Sequence, residues 1–226
     1  MPSNTKCHSC GNCTKNCPAG ARTISGQTMT AREVMANLVR DRIFFEQSGG
    51  GVSFSGGEPT AQSEFLDELL TECRKEEINT AIDTCGSVET KTLIELAKKA
   101  DLVLYDLKGY DDERHKFNTG VAATPILENL DTLARMHKCI WIRLPVVQGY
   151  TDDPNEMELL AKRYCSHNSM RRVEILPYHA LGDSKLKRMG KCDVQSNLNA
   201  PSSTILDMLS EIWKRNGFDT HIGAKR

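Results

Sequence analysis

No apolar run in this chain of 226 residues approaches the roughly 18 that a membrane-spanning helix needs. The opening residues, Met1-Pro-Ser-Asn-Thr-Lys6, lack the apolar core of a signal peptide. Excess charge is missing too, since 29 basic and 30 acidic side chains leave a net −1. That balance offers no electrostatic handle for nucleic acid or a membrane surface. Aromatics are scarce at 6%, and neither a fixed-period repeat nor a low-complexity tract is present. The remainder, 39% apolar and 26% charged, is the balance of a globular cytoplasmic domain with one sizeable core.

Cysteine breaks this plainness. Nine are present, and Cys7, Cys10, Cys13 and Cys17 form one C-x2-C-x2-C-x3-C-P run ending at Pro18. In a reducing compartment such crowding points to metal rather than disulfides. The spacing is that of bacterial-type ferredoxins, whose short steps wrap thiolates round an iron–sulfur cube. Structural zinc, normally held by two separated pairs, is the alternative. In two-run ferredoxins the fourth cysteine serves the other cluster. A single run leaves open whether Cys17 closes its own. Pro18–Ile24 then reads as a short strand leaving the loop. Cys73, on an apolar helical stripe, reads as core. Cys85 reads as packing, Cys192 as incidental, and His115 and His137 as surface residues.

The stretch Gly49-Gly-Gly-Val-Ser-Phe-Ser-Gly-Gly-Glu-Pro59 organises the rest of the chain. Glycines just past a strand let backbone approach a ligand, and a carboxylate there suits a ligand ammonium. Thr30 to Glu33 is a capping box opening a helix that runs to Ser48. From Gly49 on, strands alternate with helices, which predicts a parallel α/β sheet. Six strands are too few for a closed eight-stranded barrel, so a partial barrel is expected. Polar groups recur at the strand ends: Glu58, Asp83-Thr84, Asp106, Lys108, Arg143 and His179. In a parallel sheet they gather at one edge, where a zwitterion finds charges of both signs. Asp83, Thr84 and Asp106 are hard oxygen donors suited to a hard cation.

Cys7–Pro18, Gly49–Pro59, Asp83-Thr-Cys-Gly86, Asp101–Lys108, Thr119-Gly120, Leu127-Glu-Asn129, Trp141-Ile-Arg143 and Leu176–Gly182 carry a resemblance. Together they make the chain similar to the activating enzymes of glycyl radical enzymes, which are radical SAM proteins. The resemblance implies a partial (βα)6-type TIM barrel over 29–226, lacking the first strand, behind a ferredoxin-like segment at 1–28. It implies that Gly57, Glu58, Lys108, Arg143 and His179 line an S-adenosylmethionine pocket. It places Asp83, Thr84 and Asp106 around a monovalent cation, with Leu104 adding a carbonyl. Cys7, Cys10, Cys13 and Cys17 match a cluster-binding insert. It further implies a [4Fe-4S] cluster, a glycyl radical enzyme as protein substrate, a flavodoxin- or ferredoxin-type electron donor, and a monomer working anaerobically.

One departure stands against this. The family's catalytic cluster is held by C-x3-C-x2-C, and this sequence contains no such triad. Cys13 and Cys17 have the first gap, but Gly20 stands in the third place. The expectation is that Met1 lies inside a longer ancestral chain, as a fragment, a misplaced gene start or a degenerate copy. The rival expectation is a non-catalytic iron–sulfur electron carrier or S-adenosylmethionine-binding protein. No catalytic residue is assigned from sequence.

Overall fold

The computed structural model describes residues 10–24, 26–136, 139–170, 172–180 and 198–223. Cys7, His137 and Cys192 lie outside them. Three helices come first: α1 (Asn12–Lys15), α2 (Ala31–Leu38) and α3 (Arg42–Ser48). Six strands are then found among the described residues: β1 (Gly51–Phe54), β2 (Asn79–Thr84), β3 (Leu102–Asp106), β4 (Ile140–Val146), β5 (Arg172–Pro177) and β6 (Asp219–Ile222). They pair in chain order, every pair parallel. Parallel neighbours need long crossovers. The described residues supply them through α4 (Ser63–Lys75), α5 (Thr90–Ala97), α6 (Asp112–Thr119), α7 (Thr124–Met136), α8 (Pro154–Tyr164) and α9 (Ser203–Arg215). Among the described residues β1 and β6 do not meet, so the sheet is open, as expected of a partial barrel.

Alternation along the strands decides which face is which. Val103, Tyr105, Ile140, Ile142, Leu144, Val173 and Ile175 are fully buried on one face. They share a core with Leu93, Leu130, Leu133, Leu160, Leu209 and Trp213 of the helices. The other face carries Asp83, Leu104, Asp106, Trp141, Arg143, Arg172 and Glu174, all half-buried. Cys73 is buried, and burial pushes its thiol up to about 11.

Local signals explain the boundaries. Thr30 and Glu33 form the reciprocal capping box at the start of α2. The helix expected to reach Ser48 is interrupted by a 3-10 turn at Val39–Asp41. Asp41, at φ −93° and ψ 4°, is too flat for an α-helix to continue. The strand expected over Pro18–Ile24 does not form. Pro18 lacks an N–H, Gly20 turns left-handed at φ 59°, and no ladder among the described residues receives this stretch. His115 is a further correction. It is buried, with Nδ1 2.7 Å from the Val121 carbonyl oxygen, because the loop after α6 folds back over it.

Gly86 shows how tightly the strand ends fit. Its φ is 71°, and a Cβ there would lie 1.7 Å from the Tyr105 hydroxyl oxygen. That hydroxyl is itself held, donating to the Ile126 carbonyl at 2.8 Å. Gly86→Ala is expected to remove roughly 3 kcal/mol of stability, from backbone strain and overpacking together. A chemical denaturation midpoint unchanged by the substitution would refute this fit.

Candidate functional site

The turn after β1 is built round one carboxylate. Glu58 is extended, at φ −152° and ψ 112°, and caps a 3-10 turn over Pro59–Gln62. Its Oε1 accepts from the Thr60 amide (3.1 Å), the Thr60 hydroxyl (2.8 Å) and the Thr84 hydroxyl (2.8 Å). Its Oε2 accepts from the Cys85 amide (2.9 Å). Burial pushes Glu58 up, but the Cys85 and Thr60 donors outweigh it and hold the carboxyl below the usual value. The Cys85 thiol is driven the other way, by burial first and then by Glu58. Asn129, buried on α7, donates to the carbonyls of Gly86 and Val88 at 2.8 Å each and fixes the next loop.

Beside this turn the half-buried face carries a line of charge. Register sets Asp83 against Leu104, and Asp106 against Arg143 and then Glu174. Arg143 Nη1 lies 2.5 Å from Asp83 Oδ1, and its Nε 3.9 Å from Asp106 Oδ1. The Ser55 hydroxyl donates to Asp83 Oδ2 at 2.9 Å, and Lys108 Nζ donates to Asp106 Oδ2 at 3.1 Å. Asp106 Oδ1 is buried with no hydrogen-bond donor among the described residues. One strand on, the Arg172 guanidinium lies 3.9 Å from the Trp141 ring centroid and pairs with Glu174.

The rim over β3 and β4 is cross-tied. Glu156 at the start of α8 accepts the Tyr110 amide at 2.6 Å. Arg114 on α6 reaches Asp153 at 2.7 Å and Glu156 at 3.3 Å. His179 is exposed at the same edge, two residues past β5. A cavity of about 630 Å³ lies at the opposite edge, lined by Arg74, Asn79, Lys98 and Asp101. It is remote from the strand-end groups, and ligands of open α/β sheets bind at the carboxyl ends.

The structure thus brings Glu58, Thr84, Asp83, Asp106, Lys108 and Arg143 into one connected neighbourhood, with Gly57 in its turn. Leu104 stands on the same face as Asp106. Thr84 is turned differently, its hydroxyl committed to Glu58 and to the Gly86 amide. Sequence reasoning missed Ser55, Thr60, Asn129, Trp141, Arg172, Glu174 and Glu156. The two-residue alternation of Arg172 and Glu174 with Val173 and Ile175 was the available signal.

These donors fit the groups that such a site takes. The bare Asp106 oxygen, with the Asp83 carboxylate on the adjacent strand, suits a hard monovalent cation. Lys108 and Arg143 suit a carboxylate, and nothing lies within 4 Å of where side chains at Gly56 or Gly57 would begin, leaving room for a ligand. In the cysteine segment, the Ala21 amide chiefly, helped by those of Ala19 and Arg22, holds the Cys17 thiol below the usual value despite some desolvation. That favours the thiolate an iron–sulfur cluster requires. Among the described residues, however, no three Cys, His, Asp or Glu side chains gather as a metal site. The catalytic cluster does not fit the residues present, because its C-x3-C-x2-C ligands are not in the sequence.

Comparison with known proteins agrees with this geometry. Residues 4–161 match the radical SAM superfamily. The chain is 34% identical over 206 residues to the trans-4-hydroxy-L-proline dehydratase activating enzyme of Clostridioides difficile, covering 90% of this chain and 68% of that protein. It is 36% identical over 219 residues to the choline trimethylamine-lyase activating enzyme of Oleidesulfovibrio alaskensis, covering 81% and 71%. A domain of the pyruvate-formate lyase-activating enzyme from Bacteroides vulgatus superposes with a TM-score of 0.65 at 28% identity, covering 77% of this chain and 99% of that domain. The chain belongs to the radical SAM superfamily. Within it, the chain falls with the activating enzymes of glycyl radical enzymes.

Two outcomes are expected from the charge arrangement. A carboxyl whose folded value is depressed stabilises fully above its ordinary value, here 4.5, and loses that contribution as pH falls through the lower folded value. Glu58→Gln should therefore cost about 1–3 kcal/mol at pH 7, and the gap to wild type should narrow in denaturation curves below pH 4.5. Arg143→Met leaves Asp83 and Asp106 without their shared guanidinium and should cost roughly 2 kcal/mol. Potassium chloride should restore more of its melting temperature than a bulky organic chloride at equal ionic strength. Equal recovery in both salts would show that no cation fits between these carboxylates.

Proposed function

We propose that this chain binds S-adenosylmethionine across the carboxyl ends of its strands and acts as the activase of a glycyl radical enzyme. The observation that carries this is the convergence of Asp83, Asp106, Lys108 and Arg143 from β2, β3 and β4 beside the glycine turn. Lys108 and Arg143 would hold the ligand carboxylate, and the turn at Gly57–Glu58 would meet its ammonium. Asp83 and Asp106, with the Leu104 and Thr84 carbonyls, would hold a monovalent cation. His179, at the rim, would add a hydrogen bond. S-adenosylmethionine held there would be the source of the radical by which an activating enzyme takes hydrogen from a backbone glycine, once a reduced [4Fe-4S] cluster stood beside it. The electron would come from a flavodoxin- or ferredoxin-type donor to a monomeric activase. Cys7, Cys10, Cys13 and Cys17 would hold an auxiliary cluster.

No reducing step is assigned to this chain's own residues, because the catalytic triad is not among them. That absence favours a second reading, a protein that binds S-adenosylmethionine or carries electrons without cleaving the sulfonium. Calorimetry separates the first question. Wild type should bind S-adenosylmethionine with a micromolar dissociation constant, and Lys108→Ala should weaken binding about tenfold, the loss of one charge-assisted contact. The second question needs an added segment carrying C-x3-C-x2-C, then anaerobic reconstitution and reduction. Formation of 5′-deoxyadenosine supports the activase, whereas binding without cleavage selects the second reading.

A further inference from the structure

Arg143 stands between two carboxylates that register places at its own level, Asp106 on β3 and Glu174 on β5. Strand spacing is the same on both sides, about 4.8 Å, yet the guanidinium leans one way only. It reaches past β3 to Asp83 at 2.5 Å, with Asp106 at 3.9 Å, and among the described residues it makes no ion pair with Glu174. Glu174 is engaged elsewhere. Its Oε1 accepts from Arg172 Nε at 2.7 Å and lies 2.5 Å from Arg172 Nη2. Arg172 is two residues earlier on the same strand and face, so this pairing draws the carboxylate along β5, away from the level of Arg143. Arg172 is itself held, its guanidinium 3.9 Å from the Trp141 ring centroid. On the far side Glu174 is in register with His221, but His221 Nε2 lies 2.9 Å from Asp219 Oδ2. Among the described residues, Arg172 is thus the cation that occupies Glu174.

We propose that Arg172 is a positioning residue, which, braced on Trp141, keeps Glu174 off Arg143 and so leaves the Arg143 guanidinium turned toward β2 and β3. The physical basis is competition for one charge. A guanidinium carries a single positive charge on a planar fork of donors. Flanked by free carboxylates on both sides, it would be shared between them. Without Arg172, Glu174 becomes a carboxylate only 18% exposed and without its cation, a state that costs free energy until a new partner is found. Arg143 is the permanently charged group in register beside it. An Arg143 side chain that turns to β5 leaves Asp83 and no longer meets a ligand carboxylate over β3. Arg172 acts on the ligand only through this exchange of partners. The inference rests on the S-adenosylmethionine reading above and adds the group that aims its carboxylate-binding arginine.

Calorimetry with S-adenosylmethionine on the whole chain reads the effect. Arg172→Gln should weaken binding about tenfold. Arg172→Lys, which keeps a cation beside Glu174, should weaken it by about threefold at most. Adding Glu174→Gln to Arg172→Gln removes the competitor and should restore affinity to within about twofold of wild type. Adding Asp219→Asn instead restores the same net charge but leaves Glu174 free, so it should restore nothing. No recovery with Glu174→Gln would show that Arg172 touches the ligand or only packs. Equal recovery with Asp219→Asn would show an effect of net charge alone. Either result overturns the proposal, as does unchanged affinity in Arg172→Gln. If wild type does not bind S-adenosylmethionine, that reading fails, and the coupling between Arg143 and Asp83 decides alone. A double-mutant cycle of Arg143→Met and Asp83→Asn on the unfolding equilibrium should give about fivefold coupling in the parent chain and less than about twofold in Arg172→Gln. Equal coupling in both backgrounds refutes the positioning role.

Discussion

Parallel pairing in unbroken chain order is the constraint on which everything else here depends. Each strand runs the same way as its predecessor, so every loop that leaves a strand opens at the same edge. Side chains far apart in sequence, such as Ser55, Asp83, Asp106 and Arg143, become neighbours without any long-range contact devised for the purpose. Register then sets the detail. Asp106 faces Arg143, and Arg143 faces Glu174, and a one-residue slip of either pairing would turn Val103, Ile142 or Val173 out of the core.

The fold was largely legible because alternating apolar runs and helical stripes recur from Gly49 onward, and each strand repeats the same burial problem. The edge location of Asp83, Asp106 and Arg143 followed from that alternation alone. The misreadings have a common origin in contacts made at a distance. His115 looked like a solvent residue because its own helix is polar, and only the returning loop at Val121 covers it. Pro18–Ile24 looked extended, but a strand needs a partner as well as a sequence. The inward turn of Glu58 was invisible for the same reason, since Thr84 and Cys85 lie 26 and 27 residues further along the chain.

Electrostatically the site is a closed account between neighbours. Two carboxylates, Asp83 and Asp106, face two cations, Lys108 and Arg143, and a single oxygen is left over. Half-buried charge of this kind is tolerable only when paired. A zwitterionic ligand can enter such a cluster by exchanging partners, because it brings both signs with it. A neutral or singly charged molecule of the same size would leave one member stranded.

The ties between α6 and α8 have a different bearing. Arg114 grips Asp153 and Glu156, while Glu156 grips the backbone at Tyr110. The two segments that overhang β3 and β4 are thereby tied to each other, side chain to side chain and side chain to backbone. Parting them means breaking both ion pairs of Arg114 and the bond to the Tyr110 amide together, so whatever enters on that side meets their combined resistance.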